Sequence, residues 1–192
     1  MAKTKAKKGV APTRVYQIKV ALENAKPPIW RRLLVSADMT LGELHDVIQV
    51  AMGWNDCHLH LFESGGESYG TPHPDDFEDV HDERRVMLGK VAPGEKSKLR
   101  YQYDFGDSWD HSILVEKVLD PDPSAHYPSC IKGVRHCPPE DCGGIWGYDS
   151  FLEAIADPKH PEHKEMLDWI GGEFDPEAFD LEETNAQLRR MG

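Results

Sequence analysis

One stretch limits the fold of this chain more than any other. From Lys98 to Phe105 the sequence KLRYQYDF alternates with period two; after Gly106-Asp107-Ser108 it returns from Trp109 to Leu119. Leu99, Tyr101, Tyr103 and Phe105 share one face, and His111, Ile113 and Val115 share one face of the return. Side chains of a strand point alternately to the two sides of a sheet, so two such runs about a Gly-Asp turn read as a β-hairpin. Its aromatic side, Tyr101, Tyr103, Phe105 and Trp109, is expected to be buried.

The rest of the chain supplies partners for that hairpin. Residues 14–22 alternate, with Tyr16, Ile18, Val20 and Leu22 on one side, and Ile29 to Val35 (IWRRLLV) reads as a second, antiparallel strand after the rigid Pro27-Pro28 turn. Thr40-Leu-Gly-Glu43 is a capping box, and it opens a helix with Leu41, Leu44, Val47, Ile48, Ala51 and Met52 on one stripe, stopped by Gly53. Cys57 to Glu63 (CHLHLFE) alternates again. Residues 64–83, with eight acids from Glu63 to Glu83, read as a long mobile loop, followed by a short strand near 85–88. Residues 120–148 carry five prolines and fit no regular element. Beyond them, helices are expected from 149 to 156, from Pro161 to Ile170, and from Asp180 to Arg190. The expected architecture is α+β: one domain over 14–190, with a mainly antiparallel sheet, one inserted helix and C-terminal helices packed on it, behind a disordered basic tail over 1–13.

Charge narrows the function. The chain carries 22 Lys and Arg against 34 Asp and Glu. Lys3, Lys5, Lys7, Lys8 and Arg14 lie in the first 14 residues with no acid, which leaves the remainder with 17 basic and 34 acidic residues, a net of -17. A body this acidic repels phosphate backbones, so broad nucleic-acid binding is not expected outside the Lys-rich tail. Apolar runs such as Ile113-Leu114-Val115 are far too short for a bilayer, no apolar stretch follows the N-terminal lysines, and four cysteines do not suggest a disulfide framework. A cytoplasmic protein is expected.

Chemistry concentrates in three places. Asp104, Asp107 and Asp110 crowd the hairpin turn near His111, a carboxylate–imidazole group suited to moving protons or holding a cation, though Asp and Gly also simply make turns. His58 and His60 sit two apart on one strand face, a chelating spacing that still needs a third ligand. Cys130, Cys137 and Cys142 form a thiol-rich stretch without the C-x2-C spacing of zinc ribbons; they are metal ligands or small buried apolar groups. In Cys137-Pro-Pro-Glu-Asp-Cys-Gly-Gly144, two prolines and two glycines hold Glu140 and Asp141 in a defined place. The cofactor such residues would take is a divalent metal, Zn or Mg, and nothing in the sequence demands one.

The stretches IWRRLLV, TLGELHDVIQVAMGW, HLHLF, YQYDFGDSWDH, CPPEDCGGIWGY and FDPEAFDLEETN, in this order, resemble the plasmid ORF-three-like family, named from a Ri-plasmid reading frame and also labelled an insertion-element passenger or "TnpR-like". The resemblance runs from about Val15 to Arg190. It implies an α+β fold and no established activity. Its signature stretches match here at His58, Asp104, Phe105, Gly106, Asp107, Trp109, His111, Pro139, Glu140, Asp141, Gly143 and Gly144. The resolvase label fits poorly, since no serine-recombinase motif occurs and the body is too acidic to grip two duplexes.

These residues define one candidate pocket: His58, Asp104, Asp107, Trp109, His111, Glu140 and Asp141. Three functions are compatible with it. The first is a non-enzymatic module binding a ligand or partner beside the hairpin. The second is a metal-assisted hydrolase of a phosphoester or amide, with His111 as base. The third is DNA binding in a mobile-element context. The carboxylates would either chelate a cation or pair with Arg31 or Arg32. The sequence fixes neither a partner nor an oligomeric state.

Overall fold

The computed structural model describes residues 12–73 and 79–191. Eight strands form one sheet among them: β1 (Val15–Leu22), β2 (Trp30–Ser36), β3 (His60–Ser64), β4 (Glu67–Gly70), β5 (Val80–Asp82), β6 (Lys98–Tyr103), β7 (Trp109–Leu119) and β8 (Ser129–Val134). Their spatial order is β5-β4-β3-β6-β7-β1-β2-β8. Every pairing is antiparallel except β4 with β5. The hairpin β6–β7 lies in the middle of the sheet, with Tyr101 opposite His111 and Tyr103 opposite Trp109.

Helix α1 (Leu41–Met52) begins at the Thr40 capping box and ends at Gly53 in the left-handed conformation. Its stripe Leu41, Leu44, Val47, Ile48 and Ala51 is buried in one cluster with Ile18, Val20, Leu33 and Val35 of the central strands. A four-residue helix α2 (Leu88–Val91) replaces the strand expected near 85–88; Met87 makes a single bridge to Thr40. Helices α3 (Gly144–Ala156), α4 (His163–Ile170) and α5 (Leu181–Leu188) close the chain. Tyr148, Phe151 and Leu188 from α3 and α5 enter the same core. The fold is α+β with a mainly antiparallel sheet. No helix among the described residues is long and apolar enough to cross a membrane.

Other expectations differ from the structure as well: α3 begins at Gly144 rather than 149, and β3 at His60 rather than Cys57. The segment 64–83 contains β4, β5 and the start of a 3-10 turn (Glu83–Arg85), while its centre, 74–78, lies outside the described residues, as do 1–11 of the tail. These strands are three and four residues long at one end of the sheet, too short for a period to show. β8 hides among prolines because an edge strand tolerates a neighbouring Pro, and its pairing shifts at Arg32/Leu33, which disrupts alternation. Phe105 is 48% exposed rather than buried. Asp104 takes a left-handed φ of 55°, so alternation stops at Tyr103 and Phe105 turns outward.

Candidate functional site

The hairpin turn is built by its first aspartate. Asp104 Oδ1 accepts hydrogen bonds from Gly106 N (2.9 Å) and Asp107 N (3.3 Å), an Asx turn that stabilises its left-handed backbone. That leaves Oδ2 facing His58 Nε2 at 3.6 Å. Asp107 Oδ2 accepts from Gly143 N at 3.1 Å and so ties the turn to the loop 137–143. The two backbones touch there: a Cβ on Gly144, whose φ is 69°, would lie 2.5 Å from the Asp107 carbonyl oxygen. Gly144→Ala is therefore expected to push the loop off the turn and to destabilise the fold by more than about 1 kcal/mol, from strain and clash together. Urea unfolding measures this; an unchanged midpoint would show that the contact is slack.

The same loop delivers two more carboxylates. Asp141 Oδ1 lies 3.1 Å from His58 Nε2. That nitrogen is buried and makes no hydrogen bond. Glu140 takes a different place: its carboxylate accepts from the Tyr103 hydroxyl (2.6 Å), from Asn55 N (3.2 Å) and from Asn55 Nδ2 (2.8 Å). Burial pushes Glu140 upward, but these donors outweigh it and hold the carboxyl below its usual range. Glu140 is thus a fastened, ionised group that anchors the loop on β6.

His58 also lines a cleft of about 560 Å3 with His45, Asp46, Asp56, His60 and Glu83. Two groups of metal-capable side chains converge among the described residues: His58, Asp104 and Asp141, and His45, Asp56 and His60. In each group the ligand atoms lie within 4.8 Å of one another.

Residues 14–183 match the family described as plasmid pRiA4b ORF-3-like protein. The chain belongs to that family. An uncharacterised protein of Sinorhizobium fredii, y4hQ, is 39% identical over 173 residues, 89% of each chain. The crystal structure of a protein of unknown function from Methanosarcina mazei Go1 superposes with a TM-score of 0.81 at 35% identity, covering 88% of this chain and 96% of that one.

In this ORF-3-like chain, His58, Asp104 and Asp141 come together, with Asp107 and Glu140 holding the two segments that carry the aspartates. Trp109 and His111 do not join them. Both are fully buried on β7, beneath the site rather than in it. His111 Nδ1 lies 2.9 Å from the Trp109 carbonyl, and burial pushes the imidazole down to about 4, so it is neutral and out of reach of a ligand. The three cysteines do not assemble either. Cys130 and Cys137 are buried free thiols flanking Arg31, and burial raises Cys142 to about 12. Pairing of the site carboxylates with Arg31 or Arg32 is overturned. Arg32 binds Glu116 (2.6 and 2.9 Å), and Arg31 is buried on backbone carbonyls.

Sequence reasoning missed His45, Asp56 and Glu83. His45 and Gln49 stand four apart on α1 and are buried with its apolar stripe; two polar residues in that register were the available signal. Asp56 and Glu83 lie in connections, where acidic residues are ordinary.

Proposed function

We propose that the protein is a ligand-binding module that holds a divalent cation between His58, Asp104 and Asp141, beside the cleft that His58 lines. The observation that carries this reading is the buried, unbonded His58 Nε2 facing two carboxylates at 3.1 and 3.6 Å. Leaving a buried ring nitrogen without a partner costs about 1–3 kcal/mol, and a cation ligated by that nitrogen removes the penalty. One imidazole with two carboxylates suits a borderline ion such as Zn2+ or Mn2+ better than Mg2+, which takes oxygen ligands and water. Leu59 and Phe105, next in sequence to His58 and Asp104, are exposed and available to an organic ligand. The burial of His111 removes the base that a hydrolase would have used, which favours a module over an enzyme.

The test is calorimetric titration of the metal-stripped full chain with Zn2+. Asp104→Asn keeps a side-chain oxygen for the Asx turn while discharging the group, so the turn should persist. Zn2+ affinity at this cluster should fall at least about tenfold in Asp104→Asn and in His58→Ala, the scale on which metal sites respond to altered ligation. Equal affinity in wild type and both variants overturns the reading. Turnover of an activated phosphodiester by the Zn2+-loaded protein, lost in the same variants, would move it to the hydrolase.

A further inference from the structure

The sheet has a second face. Helix α1 and side chains of α3 and α5 bury one side of it, the side of Ile18, Leu33, Val35 and Val115. Alternate residues of the same strands point the other way and stay half-buried or exposed. The strand register draws several of them into a line. Lys98 on β6 stands opposite Leu114 on β7, and Leu114 opposite Lys19 on β1. Lys19 stands opposite Arg32 on β2, and Arg32 opposite Lys132 on β8. Four cations thus form one row across five strands, roughly 19 Å long at the ordinary spacing of about 4.8 Å between strands.

Like charges directly opposite one another destabilise a sheet, so a plain solvent face would not hold such a row. Trp30, half-buried and two residues before Arg32, gathers three of the four cations. Lys19 Nζ lies 5.0 Å, Arg32 Cζ 4.9 Å and Lys132 Nζ 5.8 Å from its ring centroid. Glu116 is the carboxylate bonded to the row, and it is already engaged by Arg32 and by Gln17 Nε2 at 2.7 Å. Farther along the face, Arg100 holds Glu63 and Asp110 at 3.1 and 3.0 Å. Lys96 and Lys117 line a depression beside the row, with Gln17, Arg32 and Leu114. Residues 15–192 carry 17 basic and 34 acidic side chains, and on this face the sign is reversed.

We infer that the open face of β6, β7, β1, β2 and β8 binds single-stranded nucleic acid, with Lys98, Lys19, Arg32 and Lys132 along its phosphates and Trp30 against a base. Single strands are held without sequence readout by this combination, cations on the backbone and an aromatic ring under a base on an open sheet. The cations resting on the indole move to the phosphates and free a ring face for the base. No helix or ribbon projects from the face to enter a duplex groove, and the acidic remainder of the body repels a second backbone. An acidic peptide would match the cations but would leave the indole unused. The inference does not depend on a cation at His58.

The experiment is fluorescence anisotropy of labelled oligothymidine and oligouridine, each of about 12 nucleotides, titrated with the full chain. Wild type should bind at least one of them. Its affinity should fall roughly twentyfold between about 50 and about 200 mM salt, as expected for about three phosphates of a single strand. Lys19→Gln combined with Lys132→Gln removes like charges from facing positions, so the fold should hold, as a circular dichroism melt will show. This double variant should bind at least about tenfold more weakly, with a flatter salt dependence. Trp30→Leu should weaken binding at least about fivefold. Undiminished binding in the double variant assigns the strand to Lys3, Lys5, Lys7 and Lys8 instead, and undiminished binding in Trp30→Leu removes the base contact; either result overturns the inference. Oligoglutamate of the same charge binding as tightly overturns the choice of nucleic acid. Folded wild type that binds neither oligonucleotide at low salt overturns it outright.

Discussion

Replacing Trp109 by alanine should lower stability by about 3–5 kcal/mol, among the largest effects of any single truncation in this protein. Trp109 opens β7, has no exposed surface, and is one of the largest fully buried side chains among the described residues. It stands opposite Tyr103 in the hairpin register, and its ring centroid lies 6.1 Å from that of Trp54. Its indole nitrogen has no hydrogen-bond partner, so truncation removes packing and leaves a cavity without also orphaning a partner. For a chain of this length the loss corresponds to a fall in Tm of roughly 6–20 °C. Trp109→Phe keeps an apolar ring and should retain well over half of the difference. Guanidinium unfolding with intrinsic fluorescence and circular dichroism measures both. A Trp109→Ala protein within about 1 kcal/mol of wild type would mean that the site collapses around the void.

Arg31 should be nearly as sensitive, for an electrostatic reason. Its guanidinium is buried and donates to Ala51 O (2.7 Å), Trp30 O and Val134 O (3.0 Å each). It also lies 4.2 Å from the centre of the Phe179 ring. Ala51 belongs to the last turn of α1, whose carbonyls have no partner within the helix and sit at the negative end of its dipole. One cation therefore joins α1, β2 and β8 at a single point. Taking it out of water is costly, and burial lowers its affinity for the proton. Three charge-assisted hydrogen bonds, each on the order of 1.5–3 kcal/mol, offset that cost. Arg31→Met keeps the stem against Phe179 but strands the carbonyls, and should lose roughly 2–4 kcal/mol. Arg31→Lys should fall between, because an ammonium cannot reach three acceptors in a fork. A methionine variant as stable as wild type would show that desolvation cancels the hydrogen bonds.

The site was partly legible. His58, Asp104 and Asp141 lie in the three least generic stretches of the chain, and two of these hold their residue by local means, an Asx turn for YDFGD and prolines and glycines for PPEDCGG, while His58 of HLHLF lies in the connection just before β3. Local devices can be read in order along a chain. His45, Asp56 and Glu83 have no such device. They meet because α1 crosses near β3 and the 3-10 turn comes back against α1, and no residue near any of them in sequence records that meeting.

The same boundary runs through the fold. Period-two alternation over residues 14–22, 29–35, 98–105 and 109–119 determined four central strands, overrunning β6 past Tyr103, and the Thr40 capping box with Gly53 determined the limits of α1, because these signals act within a single strand or helix. That alternation even placed Arg31 on the same side of β2 as Leu33 and Val35. What it could not state is that carbonyls from α1 and β8 would be waiting there. His111 shows the same division: its face follows from the strand period, while its burial under Trp54 and Tyr101, and hence its neutrality, depends on α1 and on the chain that follows it. Charge state, solvent access and ligand convergence depend on the total of atoms around a group. That total is set by contacts between residues distant in sequence, and only the tertiary structure supplies it.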